Sequence, residues 1–468
     1  MRWEFITNLC FSLSAVRFAV ASPPAHRGKA PLKPRLLVLT DISPPTHEPD
    51  DLESLVHLLA SVDLFEIEGI ISTSGASYNG SEPLATNLVF KAIDAYEKDL
   101  PNLSKRSKQT RFLRDETVQT SGYWPSPQYL RSVTREGMQT RGNASIGLGK
   151  GNAGTQHIVD VADQPDPRPV FVTIWGGANS LAQAFLEVKH NRSAKEVDAF
   201  VSKFRIHSII DQDKDRYDPY TKSSAFWLRQ TFKHLFYIWN ERAWSYYSNS
   251  NRDVYWPRIQ RGVQKHGALG KLYPNFRYGV EGDTPSFTYL WPGLNDPQDP
   301  TQASFGGQFA YNLSPDNVTC VYSDNEEAVA NRSVASMADT MEDQLNNFFS
   351  RMDWATHGSG NRNPNLVLNR VGSYDPVVVK ARVNRGRVSL SAQGSSDPDG
   401  NKITYSWHHD AGTGYTKPVK LHGNKSKTVS VEIPPCAAGQ DIHIILRGVD
   451  NGTPPLASYR RAIIRVKH

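Results

Sequence analysis

The chain has 468 residues, 38% of them hydrophobic and 10% aromatic, with 53 Lys and Arg against 47 Asp and Glu for a formal net charge of +6. That length suits two domains with a sizeable core, and the apolar content with mixed charge excludes a disordered or low-complexity chain. No Lys/Arg run with interleaved aromatics forms a nucleic-acid stripe, so nucleic acid is not an expected partner.

At the amino terminus, Arg2 precedes an apolar segment from Phe5 to Val20 and the small-residue pattern Ala19-Val20-Ala21. Residues 1–21 are expected to be a signal peptide cleaved after Ala21, leaving a secreted, extracellular protein with no membrane segment and a charge of +5. Nine Asn-X-Ser/Thr sequons, at Asn79, Asn102, Asn143, Asn191, Asn312, Asn317, Asn331, Asn424 and Asn451, agree with a secretory route and predict surface positions wherever glycans are attached. The mature chain keeps Cys320 and Cys436. They fall in different expected domains, and no pairing is predicted.

The first strand, Leu36 to Leu39, delivers Thr40 and Asp41 at its carboxyl end, and Asp50 and Asp51 follow at the start of a helix patterned by Leu52, Leu55, Val56, Leu58 and Leu59. Pro49-Asp50-Asp51 also reads as an ordinary helix start with acidic caps. Capping requires one acid and leaves Asp41 without a role. Three crowded carboxylates repel unless a cation or protons neutralise them, and oxygen-only clusters suit a hard ion such as calcium.

Farther along, Ile67 to Ile71, Pro169 to Ile174 and Phe204 to Ile210 read as strands, and Leu84 to Tyr96, Thr155 to Val161, Ser180 to Val188 and Val334 to Phe349 as helices. The alternation predicts an α/β domain with a largely parallel sheet over residues 33–355. Gly149-Lys150-Gly151-Asn152-Ala153-Gly154 fits a dinucleotide fingerprint literally, but no buried strand feeds it, so a glycine loop is expected. Phe171 to Ser180 is a strand running into a glycine turn and a helix, with Trp175 placed to stack on a sugar ring and Asn179 to cap the helix or bind a hydroxyl. Ile209 to Asp215 places further acids at a strand end, where a solvated loop is expected and a substrate contact is the alternative. Glu281-Gly282-Asp283 reads either as turn chemistry or as late carboxylates closing an oxygen cage.

Thr356 to Pro364 is polar, rich in Gly and Asn, and reads as a linker. Beyond it come short alternating segments, Val377 to Ala381, Arg387 to Ala392, Thr404 to His408, Thr428 to Ile433, Ile442 to Leu446 and Ala462 to Val466, which predict an immunoglobulin-like β-sandwich over 365–468. Asp397, Asp399 and Asp450 within it are expected to form turns, with structural calcium binding as the alternative. Gly-X-Ser-X-Gly, His-Glu-X-X-His and Walker patterns are all missing, which disfavours serine hydrolase, zinc protease and P-loop chemistry.

Thr40-Asp41-Ile42, Glu48-Pro49-Asp50-Asp51, Trp175-Gly176-Gly177-Ala178-Asn179, Glu281-Gly282-Asp283-Thr284-Pro285-Ser286-Phe287, Ser396-Asp397-Pro398-Asp399-Gly400 and Asp441-Ile442-His443-Ile444-Ile445-Leu446 occur in one order. Together they resemble the cellulose-binding, nucleoside-hydrolase-like family with its immunoglobulin-like C-terminal domain. The resemblance implies a calcium ion held by Asp41, Asp51 and Asp283, with a backbone carbonyl near Trp175 completing the shell. Asp41 would also be the catalytic base, and Asp50 would contact sugar hydroxyls, with Trp175, Asn179 and Glu281 as further substrate contacts. The implied activity is hydrolysis of a glycosidic bond in a nucleoside or plant-wall carbohydrate. The alternative is a noncatalytic protein gripping cellulose or another polysaccharide through Trp175, Tyr289 and Trp291. Two features depart from true nucleoside hydrolases: Leu39 stands where they carry an aspartate, and Ser43 to His47 looks like an insertion.

Overall fold

The computed structural model describes residues 31–76, 83–383 and 386–468. The expected signal peptide and the Asn79 sequon lie outside the described residues. In chain order the first part runs β1 Arg35–Thr40, α1 Asp50–Ala60, β2 Glu66–Ser72, α2 Thr86–Ser107, α3 Pro127–Ser132, β3 Thr134–Glu136, α4 Ala153–Asp163, β4 Val170–Ile174, α5 Asn179–Asn191, α6 Ala194–Ser202 and β5 Phe204–Ile209. It continues with α7 Ser224–Thr231, β6 Tyr237–Asn240, α8 Ala243–Ser245, α9 Arg252–Gly262, α10 Gly267–Leu272, α11 Thr284–Thr288, β7 Ala310–Leu313, β8 Cys320–Ser323 and α12 Glu327–His357.

The eight strands form one sheet in the order β3-β2-β1-β4-β5-β6-β8-β7, parallel except for β7. Strands β1 and β4 are wholly buried and apolar except for Arg35, Thr40 and Thr173, because helices cover both faces. From β1 the chain first builds outward through β2 and β3, then returns to add β4 on the other side. The crevice beyond the carboxyl ends of β1 and β4 is therefore the topological switch point, where open α/β sheets bind ligands.

All four expected helices prove longer than their apolar periodicity, two of them by several turns. α2 runs through Pro101 to a left-handed Lys108, and α12 extends to Gly358, whose φ of 65° ends it. The stretch Gly149 to Gly154 is a loop only as far as Asn152, which caps α4 in a capping box with Thr155, while Ala153 and Gly154 already belong to the helix.

The second part contains β9 Val377–Arg382, β10 Arg387–Ser391, β11 Thr404–Asp410, β12 Leu421–His422, β13 Thr428–Glu432, β14 Asp441–Val449 and β15 Ala457–Lys467. A three-stranded sheet, β10-β13-β12, and a four-stranded sheet, β11-β14-β15-β9, share one apolar core, the arrangement of a β-sandwich. The outer face of the larger sheet packs on the first part. Ile445, Ala457 and Tyr459 join the main α/β core, Arg447 grips Asp343 of α12 with two contacts of 2.6 Å, and the buried Arg461 bonds the Leu294 carbonyl at 2.6 Å. The stretch expected as a linker is pinned as well: buried Asn361 donates to both Asp450 oxygens at 2.9 Å, and the Trp354 indole donates to the Asn361 carbonyl. Cys436 is free and exposed, so it does not pair with Cys320. Among the described residues no helix is long and apolar enough to cross a membrane.

Candidate functional site

β1 ends in Thr40 and Asp41 at the switch point, and α1 starts nine residues after Asp41 with Asp50 and Asp51 in its first turn. The N-cap is Pro49, which offers no side-chain acceptor, and Asp50 Oδ1 accepts from the Asp51 amide at 3.1 Å, so one acid serves the helix start and Asp51 is left over for other work. Asp283, immediately before α11, arrives from the far end of the domain, and one oxygen each of Asp50, Asp51 and Asp283 lie within 4.8 Å of one another. Asp51 and Asp283 are buried, and Asp50 is part-buried at the mouth.

Burial pushes all three carboxyls up; at Asp51 and Asp283 the neighbouring carboxylates add to it, and at Asp50 hydrogen bonds with the Asp51 and Asp50 amides and with Glu48 oppose it. Asp50 rises to about 6, while Asp51 and Asp283 rise well above the usual carboxylate range under the added charges of their neighbours, Asp41 included. Thr40 Oγ1 donates to Asp51 Oδ1, which partly answers that charge. Asp283 Oδ2 is buried without a hydrogen-bond partner. A buried anionic oxygen left without a donor beside two more carboxylates is the chemistry of a hard-cation site, and the donor set fits calcium.

Asp41 does not join that triad. It lies a step back at the strand end, packed so closely against Gly75 and Gly176 that a Cβ at either would collide with its carboxylate. Only glycine permits this approach, which explains Gly75 and Gly176, while at Gly177 a Cβ would meet the Ser74 carbonyl instead. Asp50, expected as a sugar contact, stands in the oxygen triad at its part-buried, mouth-side corner, because Asp50 and Asp51 both open α1. At the mouth, a Cβ on Gly282 would lie 2.9 Å from Asp50 Oδ2 and 3.7 Å from the indole of part-buried Trp244.

Three expected substrate contacts point elsewhere. Trp175 is 1% exposed, its indole donates to Ser286 Oγ at 2.9 Å, and its ring packs against Phe287, so it is core. Its carbonyl accepts from Gln212 Nε2. Asn179 is fully buried, and its amide donates to the Ser74 carbonyl at 3.0 Å and the Thr140 carbonyl at 3.1 Å, tying together the loops after β2, β3 and β4. Glu281 is fully buried, with both oxygens engaged: Tyr273 donates at 2.8 Å, Thr284 at 2.8 Å, and His57 Nδ1 lies at 2.7 Å. Its φ of 48° turns the side chain inward while the chain carries Asp283 to the site. Tyr289 and Trp291, at 1% and 4% exposure, are core residues too.

Sequence reasoning missed several residues. Glu48 lies close enough to hydrogen-bond Asp50 and to raise Asp51 and Asp283 electrostatically. Glu53, one helical turn after Asp50, is buried and accepts from the Glu281 amide at 2.8 Å, and burial pushes its carboxyl well up. Its i+3 spacing from Asp50 was the available signal. Asp213, expected in a solvated loop, is 1% exposed and accepts from the amides of Gly142 and Ser224, both at 2.8 Å. Asp397 and Asp450 accept from the amides of Asp399 and Gly452, the turns expected there, and Asp399 also pairs with Arg106 and Arg362 outside the sandwich.

Residues 35–309 match the family described as cellulose-binding Sde182, nucleoside hydrolase-like domain. The chain belongs to this family. Residues 387–466 match the C-terminal domain of cellulose-binding protein Sde0182, so both parts of the nucleoside hydrolase-like architecture are present in one chain. A solved structure of a nucleoside hydrolase-related hypothetical protein from Saccharophagus degradans, associated with carbohydrate metabolism, is 34% identical with a TM-score of 0.79, covering 93% of this chain and 100% of that one. Two local likenesses carry no weight: the PKD domain from KIAA 1837 protein (20% identity, 23% of this chain and 90% of that one, TM-score 0.17) and human CDH23 EC21-23 (15%, 22% and 33%, TM-score 0.18). No curated protein matches the chain.

Proposed function

We propose that this nucleoside hydrolase-like, cellulose-binding family member is a secreted, calcium-dependent hydrolase of glycosidic bonds in nucleosides or plant-wall carbohydrates. The observation that carries the reading is the buried triad of Asp50, Asp51 and Asp283 at the switch point, with Asp283 Oδ2 left without a donor. Secretion is supported by the amino-terminal leader pattern and by sequons at Asn191, Asn317, Asn331, Asn424 and Asn451, all exposed. Asn102 and Asn312 are not open in the same way, since the Asn102 amide bonds the end of α12 and Asn312 is buried.

Asp50, Asp51 and Asp283 would hold the ion. When bound, calcium supplies positive charge that offsets carboxylate repulsion and makes a nearby water more acidic. Asp41, fixed against Gly75 and Gly176, accepts the proton from the attacking water at its carboxylate. Asp50 faces the mouth and orients sugar hydroxyls. Asn179 and Glu281 are positioning residues, holding the loops that bring Gly75, Gly176 and Asp283 together.

The test is release of base or reducing sugar from nucleosides and plant-wall oligosaccharides, with calcium or with chelator. Asp41→Asn should lower turnover by roughly a hundredfold or more, as loss of a general base does. The family description favours a second reading, a polysaccharide-binding protein without catalysis. That reading stands if wild type and Asp41→Asn release equally little while both retain polysaccharide. Its aromatic grip would then have to come from residues other than Trp175, Tyr289 and Trp291, which are core.

A further inference from the structure

The outer face of the sandwich's four-stranded sheet is divided. The half bearing Arg447, Tyr459 and Arg461 docks on the α/β domain, and the other half is open. In that open half the parallel register of β9 and β15 places Lys380 beside Arg465 and Arg382 beside Lys467. Side chains alternate along a strand, and Val379, Ala381, Ile464 and Val466 face the sandwich core, so these four cations project together into solvent. Successive cations along each strand are about 7 Å apart.

Like charges opposite one another across a ladder destabilise a sheet, and here two such pairs are adjacent. Arg465 reaches Asp441 at 3.2 Å, but among the described residues no carboxylate lies within 4.0 Å of the Lys380, Arg382 or Lys467 head groups. Protection of an exposed edge accounts for Lys380 and Arg382, since β9 is an edge strand. It does not account for Arg465 and Lys467, because β15 lies between β14 and β9. The charge is also regional: residues 365–468 carry 15 Lys and Arg against seven Asp and Glu, whereas residues 31–364 carry 34 against 39.

We infer that this half-face binds a carboxylated polysaccharide, a chain of uronic acid units laid along β9 and β15. A linear polyanion satisfies a row of four cations of which only Arg465 has a carboxylate partner among the described residues. The choice of a glycan rests on the polysaccharide reading above. The four-cation array has no aromatic between its members on which a base would stack, which disfavours single-stranded nucleic acid.

The test uses the full chain and polygalacturonate, with its methyl-esterified form as an uncharged control of the same backbone, at low and high ionic strength. Retention on polygalacturonate is expected at low salt, weakened by added salt and absent on the esterified polymer. The variant Lys380→Gln/Arg382→Gln/Arg465→Gln/Lys467→Gln should lose at least tenfold in affinity for polygalacturonate with unchanged retention on cellulose and an unchanged or raised Tm. The inference is overturned if wild type ignores polygalacturonate, if the esterified polymer binds as well, if duplex DNA is retained as tightly, or if the folded variant binds like wild type. Loss of cellulose retention in wild type would sink the polysaccharide reading itself, a different result from losing the uronate alone. Hydrolysis is not a readout, so failure of the catalytic proposal leaves this test intact.

Discussion

Asp213 and Asp283 are both aspartates at the ligand side of the same sheet, both about 98% removed from solvent, and both pushed up by burial. They differ in what answers their charge. Around Asp213 the fold supplies donors: the Gly142 and Ser224 amides, the Ser224 hydroxyl, and Asn179 Nδ2 at 3.3 Å. Around Asp283 it supplies other carboxylates and leaves Oδ2 without a partner. A buried acid satisfied by backbone amides is part of the scaffold, whereas one surrounded by its own kind is held ready for a ligand.

The sharpest way to break this comparison is to remove each charge in turn without calcium. Asp213→Ala should destabilise by about 3 to 5 kcal/mol, because it strands the buried Gly142 and Ser224 donors that the carboxylate satisfies. Asp283→Asn should do the opposite and stabilise by about 1 to 2 kcal/mol, because it relieves repulsion with Asp50 and Asp51. Denaturant unfolding reads both. Destabilisation of similar size in the two variants would erase the distinction between scaffold acid and site acid.

Calcium sharpens the same contrast. An ion that binds only the folded state at a hundred times its Kd adds about 2.7 kcal/mol, so the Tm of wild type should rise with added calcium. Asp51→Asn and Asp283→Asn should abolish most of that rise, and Asp213→Asn should keep it. A calcium response that survives in folded Asp51→Asn would remove Asp51 from the site.

Much of this was legible before the fold. β1 could be read from four consecutive apolar residues, the strand, glycine turn and helix around Trp175 from its local pattern, and the sandwich from short alternating segments. The acids were found because three of them followed one strand end. What stayed hidden depends on contacts between distant segments. Glu281 turns inward because His57, 224 residues earlier, meets it, and no spacing announces that. Trp175, Tyr289 and Trp291 look alike in sequence whether they line a core or grip a sugar. Asp213 sits in a run of polar residues that reads as a solvated loop, and only closure of the segments at Gly142 and Ser224 buries it. The docking of the sandwich rests on Arg447 and Arg461, single residues with no local pattern around them.

The smallest expected effect is the pH dependence of Asp213. Burial is the main cause that lifts its carboxyl from 3.8 to about 7, and the hydrogen bonds from Ser224 and Gly142 oppose that rise while Asp211 adds to it. The folded state therefore keeps a proton that the unfolded chain releases, and this contribution to stability is present below about 3.8 and lost as pH rises through about 7. Within that window one proton gives a slope of at most about 1.4 kcal/mol per pH unit. Asp50, Asp51 and Asp283 have the same sign, so a single melting curve cannot separate them. The comparison of wild type with Asp213→Asn in chelator can, because the site acids titrate in both. The variant's Tm should start lower and fall less steeply between these two pH values. If the two curves run parallel, donors rather than burial set the charge of Asp213 in the folded state, and the carboxylate is ionised across the range.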